Sequence, residues 1–402
     1  MVKVAIKTYG CKVNQYESQL LRENLRESGY KVSRQDESDI ILINSCCVTG
    51  KAESEAVRLV KKSLQAGKKV WLTGCGVKKD SELLKFPGVE IFKDKDLLVD
   101  SLLAGIKRIT GFYEHTRAFV KIEDGCENFC SYCIVPYVRG PVRSRCEEDI
   151  VCEVENLAAN GYKEIVLTGV DMGAYGSDKG TCLAELIDKI SGIGGIKRLR
   201  LSSIEAFHLS DRLLDRLAGN SLVCPHFHIP LQSGSDRVLS LMRRRYAFDG
   251  YMEKIEKIRK KVEGVTFTTD IMVGFPGETA EDFNLSCRAI EIAGFIKVHI
   301  FRYSMRKETP AYYFAGHLPE SVKKGREAEL KYLAEETGSM VKKGFVDSFF
   351  DILAEKQCGE EWQGYSSNYI PAFFNSDKEL ANKIVRVKAK KVEGHKLFCV
   401  PV

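Results

Sequence analysis

The chain has 402 residues, 44% hydrophobic and 29% charged, which is enough for two or three domains with cores of their own. Its 61 basic residues against 55 acidic ones leave an excess of six, which permits a polyanionic partner without demanding one. No apolar run approaches the roughly 18 residues of a membrane span, and the opening Met1–Lys7 alternates like a strand, unlike a signal peptide, so a cytoplasmic protein off the membrane is expected.

From the amino terminus, Val2 to Thr8 reads as a strand and Tyr16 to Ser28 as an amphipathic helix ended by Gly29. Asp39 to Asn44 is a nearly all-apolar run of the buried parallel kind. A helix follows over Lys51–Gln65 and a strand over Lys69–Thr73. This alternation predicts an α/β domain over residues 1–105, a doubly wound parallel sheet with helices on both faces.

Residues 106–338 carry six further strand–helix units. The strands are expected at Ala118–Ile122, Glu164–Thr168, Arg198–Ser202, Phe227–Leu231, Thr266–Val273 and Lys297–Tyr303. The helices fall at Asp149–Ala159, Leu183–Ile190, Asp211–Leu217, Tyr251–Val262 and Asp282–Ala293. Six units suggest a full or partial (β/α)6 barrel with its chemistry at the carboxyl ends of the strands, and a doubly wound sheet is the competing architecture.

Residues 339–402 change to short alternating segments, Phe349–Ala354, Tyr369–Phe373, Ile384–Ala389 and Leu397–Val400, as in a small antiparallel β-barrel. Within it, period two places Arg386, Lys388 and Lys390 on one face and Val385, Val387 and Ala389 on the other. A row of cations suits a phosphate backbone, as it also suits a solvated strand face.

The 14 cysteines carry the chemistry. With no secretion signal, metal ligation or catalysis is a better default than a disulfide framework. Cys152, Cys182, Cys224, Cys287, Cys358 and Cys399 read as structural thiols. Cys126, Cys130 and Cys133 form CxxxCxxC just after a strand. Three thiolates so close can hold three irons of a [4Fe-4S] cubane and leave the fourth open to chelate S-adenosylmethionine. A zinc site would want a fourth ligand at matching spacing, and Cys146 is the nearest later candidate.

A second trio emerges from the topology. Cys11, Cys46 and Cys75 each follow a different strand of the first domain, so they should converge on one edge of a parallel sheet, where ligands bind in open α/β folds. Their reading is a second three-cysteine cluster; the plainer one is three apolar thiols capping strand ends. Cys47 competes with Cys46 as the ligand.

With these residues in place, the chain resembles the methylthiotransferase family of radical S-adenosylmethionine enzymes over essentially its full length. Tyr9-Gly10-Cys11-Lys12-Val13-Asn14-Gln15-Tyr16-Glu17, Asn44-Ser45-Cys46 and Thr73-Gly74-Cys75 match its three amino-terminal cysteine motifs, with Ser45 where the family usually has Thr. Gly125–Cys133 with Arg139-Gly140 and Arg143-Ser144-Arg145, His228–Ser235, and Asp270–Thr279 match its radical core. The last domain is similar to the family's RNA-binding TRAM barrel, which is OB-like.

The resemblance implies two [4Fe-4S] clusters, with S-adenosylmethionine as both methyl donor and radical source. The first cluster would generate a 5′-deoxyadenosyl radical that takes hydrogen from carbon 2 of an adenine, and the second would donate the methylated sulfur. It further implies cosubstrate contacts at Tyr132, Gly169, Asp171, Ser203, Gln232, Asp270 and Gly274. Arg139, Arg143 and Arg145 would meet cosubstrate carboxylate or RNA phosphate, and Arg243-Arg244-Arg245 reads as solvated surface. The implied partners are a tRNA anticodon loop, an electron donor such as a flavodoxin or ferredoxin, and a sulfur source. Lys12–Glu17 resembles the subgroup acting on N6-threonylcarbamoyladenosine. Isopentenyladenosine and a ribosomal-protein side chain are the alternative substrates, and a cluster-holding tRNA-binding or redox-sensing protein is the non-enzyme alternative.

Overall fold

The computed structural model describes residues 1–78, 81–94, 98–100, 103–394 and 396–402. At the amino terminus, β1 (Lys3–Thr8), β2 (Lys31–Val32), β3 (Ile40–Ser45), β4 (Lys69–Gly74) and β5 (Val89–Ile91) form one parallel sheet in the order β2-β1-β3-β4-β5. Every residue of β3 is buried, because helices cover both faces of this central strand. Alternate residues go to opposite sides. Val4, Ile40, Leu42 and Trp71 pack with Leu21 and Leu25 of α1 (Lys12–Glu27). Ala5, Ile41, Ile43, Val70 and Leu72 pack with Ala56, Val57 and Val60 of α2 (Gly50–Gln65). The strand order reverses between β1 and β3, the place where open α/β sheets hold their ligands.

The central segment contains β6 (Arg117–Lys121), the short β7 (Glu123–Asp124) and β8 (Arg143–Ser144), β9 (Glu164–Thr168), β10 (Arg198–Leu201), β11 (His226–His228), β12 (Thr266–Val273) and β13 (Lys297–Arg302). β6-β9-β10 and β11-β12-β13 are parallel sheets that meet through Leu199 and Val223, giving the partial barrel. The competing doubly wound arrangement is thereby set aside. Its helices are α3 (Val135–Arg139), α4 (Glu147–Ala159), α5 (Leu183–Ser191), α6 (Asp211–Ala218), α7 (Asp236–Leu241), α8 (Phe248–Lys261), α9 (Ala280–Ala293) and the long α10 (Glu320–Lys343). α9 starts on a full capping box, in which Thr279 and Asp282 satisfy each other's backbone N–H.

At the carboxyl terminus, β14 (Phe349–Cys358), β15 (Glu361–Ser366), β16 (Pro371–Asn375), β17 (Ile384–Glu393) and β18 (Lys396–Pro401) close into a barrel around Trp362, Phe374, Val387 and Leu397. β15 went unread because Glu361-Trp362-Gln363-Gly364 lacks the β-branched residues that mark a strand. One pairing, β16 with β18, is parallel. Among the described residues, no helix is long and apolar enough to cross a membrane.

Candidate active site

CxxxCxxC occupies the loop between β7 and α3. Gly125, immediately before Cys126, has φ +89°, and a Cβ there would run into the Pro141 carbonyl. Only glycine lets the loop turn so close to its own return strand. Cys126 and Cys130 are buried, and Cys133 is half-buried. Burial raises the Cys126 thiol, with Asp171, Cys133 and Cys130 adding to it. Burial likewise pushes Cys133 up to about 12, with Cys130 adding. Thiols that burial holds in the neutral form become thiolates when cations bind them, which suits a cluster of irons.

Among the described residues, no three His, Cys, Asp or Glu side chains close on one point as a single ion requires. A cubane needs a looser triangle than one zinc, since each thiolate takes a different iron.

The second trio lies at the carboxyl edge of the first sheet. Cys11 caps α1, Cys46 follows β3, and Cys75 opens a short 3-10 turn after β4. Cys11 is exposed, and Cys46 and Cys75 are buried. A Cβ on Gly10 would stand 3.0 Å from the Cys46 sulfur, so the Cys11 loop lies directly on Cys46. Burial pushes Cys46 up to about 11, with Cys75 and Cys11 both contributing. Cys47 feels Cys75 and Cys46, and it packs with Cys75, Ile134 and Val138 in an apolar cluster. These donors fit a second cluster on the same grounds as the first.

The residues expected around the cosubstrate sit along the barrel's carboxyl rim, with several roles differing from the sequence reading. Tyr132 packs with Val238, Met242, Phe275 and Tyr303. Ser203 is half-buried just beyond β10. Gln232 has φ +72° and is pinned by its backbone to Asp270 and Met272. Asp270 lies 3.3 Å from His228 and faces His299 across the ladder. Gly274 gives its N–H to Glu278 at 2.8 Å. Asp171 has its carboxylate filled by the protein itself: Asn128 donates to it at 2.8 Å and His208 stands 3.0 Å away. It therefore holds the cluster loop in place, and Cys126 is 3.9 Å from it.

The arginines depart most from expectation. Arg139 is buried against Cys75, Glu17, Asp124 and Asn14, out of reach of RNA. Arg145 is held by Glu153 and the Lys121 carbonyl. Arg143 is exposed. Arg244, read as surface, has a side chain only 3% exposed, ion-paired to Glu205 and 3.5 Å from the Cys130 sulfur. On β17, Val387 and Ala389 are buried as period two requires. Arg386 pairs with Asp351 at 3.1 Å and Lys388 with Asp347 at 3.0 Å, while exposed Lys390 lies at a β-bulge.

Glu123 was missed, since an acid beside Asp124, just past the expected strand, carries no sequence signal. It is fully buried and sits where a Cβ on Gly169 would be, which explains that glycine. The Asp171 N–H donates to Oε1 at 2.7 Å, and Oε2 has no partner. Burial pushes its pKa up to about 8, with Asp124 and Asp171 adding and the Asp171 N–H opposing. Between about 4.5 and about 8 the folded apoprotein thus holds a proton the unfolded chain has lost. Stability should fall as pH rises through that window, by up to about 1.4 kcal/mol per pH unit from this group. Glu123→Gln is expected to remove that slope, seen as urea midpoints of the apoprotein converging at about pH 5 and separating at about pH 8. Parallel pH profiles for the two proteins would refute it.

Residues 120–290 match the Radical SAM superfamily, and residues 3–92 match "Uncharacterized protein family UPF0004". The chain is 37% identical to a threonylcarbamoyladenosine tRNA methylthiotransferase of Thermotoga maritima, covering 98% of this chain and 96% of that protein. The Bacillus subtilis protein of the same name is 33% identical over 97% and 94%. A tRNA-2-methylthio-N(6)-dimethylallyladenosine synthase of Dictyoglomus thermophilum is 36% identical over 96% of each. The radical S-adenosylmethionine methyltransferase TsrM of Kitasatospora setae shares the fold, with a TM-score of 0.58 at 14% identity over 78% of this chain and 77% of that one.

Proposed function

The chain belongs to the radical S-adenosylmethionine tRNA methylthiotransferases, and from that premise we propose that its substrate is N6-threonylcarbamoyladenosine beside the anticodon, modified at carbon 2. Identity alone does not choose among substrates, because relatives named for threonylcarbamoyladenosine and for dimethylallyladenosine are about equally similar. Lys12 carries the choice. It directly follows Cys11, its charge acts on His226, His299 and Tyr369 of the barrel side, and it has no carboxylate partner among the described residues. Burial holds His299 down at about 4, so that ring stays neutral near pH 7. A cation without a carboxylate partner, beside His299 and His226 and among Arg117, Arg200 and Lys297, suits the carboxylate of a threonylcarbamoyl group and offers nothing to an uncharged dimethylallyl chain.

In this reading Cys126, Cys130 and Cys133 hold the cluster that binds S-adenosylmethionine, and Cys11, Cys46 and Cys75 hold an auxiliary cluster. Tyr132, Gly169, Ser203, Gln232, Asp270 and Gly274 shape the rim against the cosubstrate, and Asp171 braces the cluster loop. The cofactors supply one-electron chemistry and sulfur, while the protein excludes water and orients the base. We assign three domains, 1–105, 106–338 and 339–402, a division supported by separate cores in the sheet, the partial barrel and the closed barrel. Arg386, Lys388 and Lys390 would meet the RNA backbone, the first two by exchanging carboxylate partners for phosphates.

The test is nucleoside analysis of tRNAs bearing either modified adenosine after incubation with reconstituted enzyme, S-adenosylmethionine, sulfide and a low-potential reductant. Threonylcarbamoyladenosine is expected to be methylthiolated faster by about tenfold or more, the worth of a contact of about 1.4 kcal/mol. Preference for the isopentenyl tRNA, or for a ribosomal protein, would overturn the substrate.

A further inference from the structure

We propose that Arg139, delivered by the loop of the radical cluster, is the hydrogen-bond donor that sets the reduction potential of the auxiliary cluster. This rests on the reading that Cys11, Cys46 and Cys75 hold such a cluster. Arg139 is 5% exposed and ends α3, six residues after Cys133. Its Nε donates to the Cys75 sulfur at 3.1 Å. Nη2 donates to Asn14 Oδ1 at 2.7 Å, and that oxygen also accepts from the Cys11 thiol at 3.7 Å. The Cys11 bond needs the free thiol, so on ligation the guanidinium keeps its direct bond to Cys75 and stays anchored by Asn14 beside Cys11.

The rest of the fork is fixed. Nη1 lies 2.8 Å from Asp124 and 3.1 Å from Glu17, and Lys121 adds a second cation at 3.5 Å from Glu17 and 3.3 Å from Asp124. Two cations and two carboxylates balance here, so removing Arg139 withdraws the N–H···S bond and also leaves a net negative charge beside the ligands. Both changes disfavour an added electron, because hydrogen bonds to cluster sulfurs and nearby positive charge stabilise the reduced state. The rigid planar fork also explains why lysine would not serve, since it cannot hold Cys75, Asn14 and two acids at once.

The experiment is an anaerobic redox titration followed by electron paramagnetic resonance, with dithionite as reductant. It uses full-length chain carrying Cys126→Ala, Cys130→Ala and Cys133→Ala, so that only the auxiliary cluster reports. Adding Arg139→Gln should leave about four irons bound and lower the reduced-to-oxidised ratio at fixed potential by about tenfold, equal to about 59 mV for one electron. The double change Arg139→Gln with Glu17→Gln restores charge balance without the N–H···S bond and should recover only part of that shift. It also carries the test if the single change fails to fold. An unchanged midpoint at full iron content overturns the proposal alone. No iron in the parent with Arg139 intact overturns the auxiliary cluster and the proposal with it.

Discussion

Replacing Cys11, Cys46 and Cys75 together by alanine is expected to lower the iron content of anaerobically reconstituted protein from about eight to about four per chain. Methylthiolation should stop, while cleavage of S-adenosylmethionine to 5′-deoxyadenosine continues. The expectation follows from how the sheet is wound. With β3 between β1 and β4, the loops after all three strands share one edge, and the chain order reverses beside it. The Cys11 loop lies directly on Cys46, since a Cβ on Gly10 would stand 3.0 Å from the Cys46 sulfur. The mirror variant, with Cys126, Cys130 and Cys133 replaced, should also keep about four irons yet release no 5′-deoxyadenosine. About four irons in both the wild type and the first variant would leave a radical enzyme with a single cluster, whose sulfur would have to come from elsewhere.

What the sequence made legible, and what it hid, divides along a physical line. Strand ends and cysteine spacing are local, so the six parallel strands of the partial barrel could be read directly; β9 and β12 match residue for residue. Both cysteine trios follow from spacing and strand order alone. Partnerships across the chain left no such mark. In the sequence Arg139 reads as a contact for cosubstrate or RNA and Arg244 as a surface charge, since neither Cys75 nor Glu205 is a neighbour in it. Glu123 looks like any loop acid until Gly169 is seen to make room for it. The partners of Asp171 were hidden for the same reason, because Asn128 and His208 reach it from separate segments. On β17 the alternation was correct, but the carboxylates of Asp351 and Asp347 come from β14 and the turn before it.

The second large effect is structural. Glu164→Ala is expected to cost about 3–5 kcal/mol, the usual penalty for stripping the partner from buried charges. Glu164 has no exposed surface and lies 2.6 Å from Arg200, 3.3 Å from Arg198 and 4.0 Å from Arg117. Burial alone would raise its pKa, yet Arg200 and its neighbours hold it below the usual carboxylate range. The same guanidiniums fasten the carboxyl-terminal barrel: Arg198 donates to the Tyr365 carbonyl at 2.9 Å and Arg200 to that of Ser366 at 3.3 Å. Arg117 and Arg200 lie over the stacked rings of Tyr365 and Tyr369, each 4.8 Å from one ring centre. Without Glu164, Arg117 keeps Glu355 at 2.6 Å but Arg198 and Arg200 are left as unpaired cations in a dry site, and the least costly relief is to part the two domains and admit water. Glu164→Ala should therefore lower the urea midpoint and open proteolytic cleavage between α10 and β14, with the closed barrel released intact. Glu393→Ala, which breaks a solvent-exposed pair with Lys391, should change stability by less than about 1 kcal/mol. If the two variants behaved alike, the arginine–glutamate cluster would be ornament on a domain contact made by the tyrosines alone.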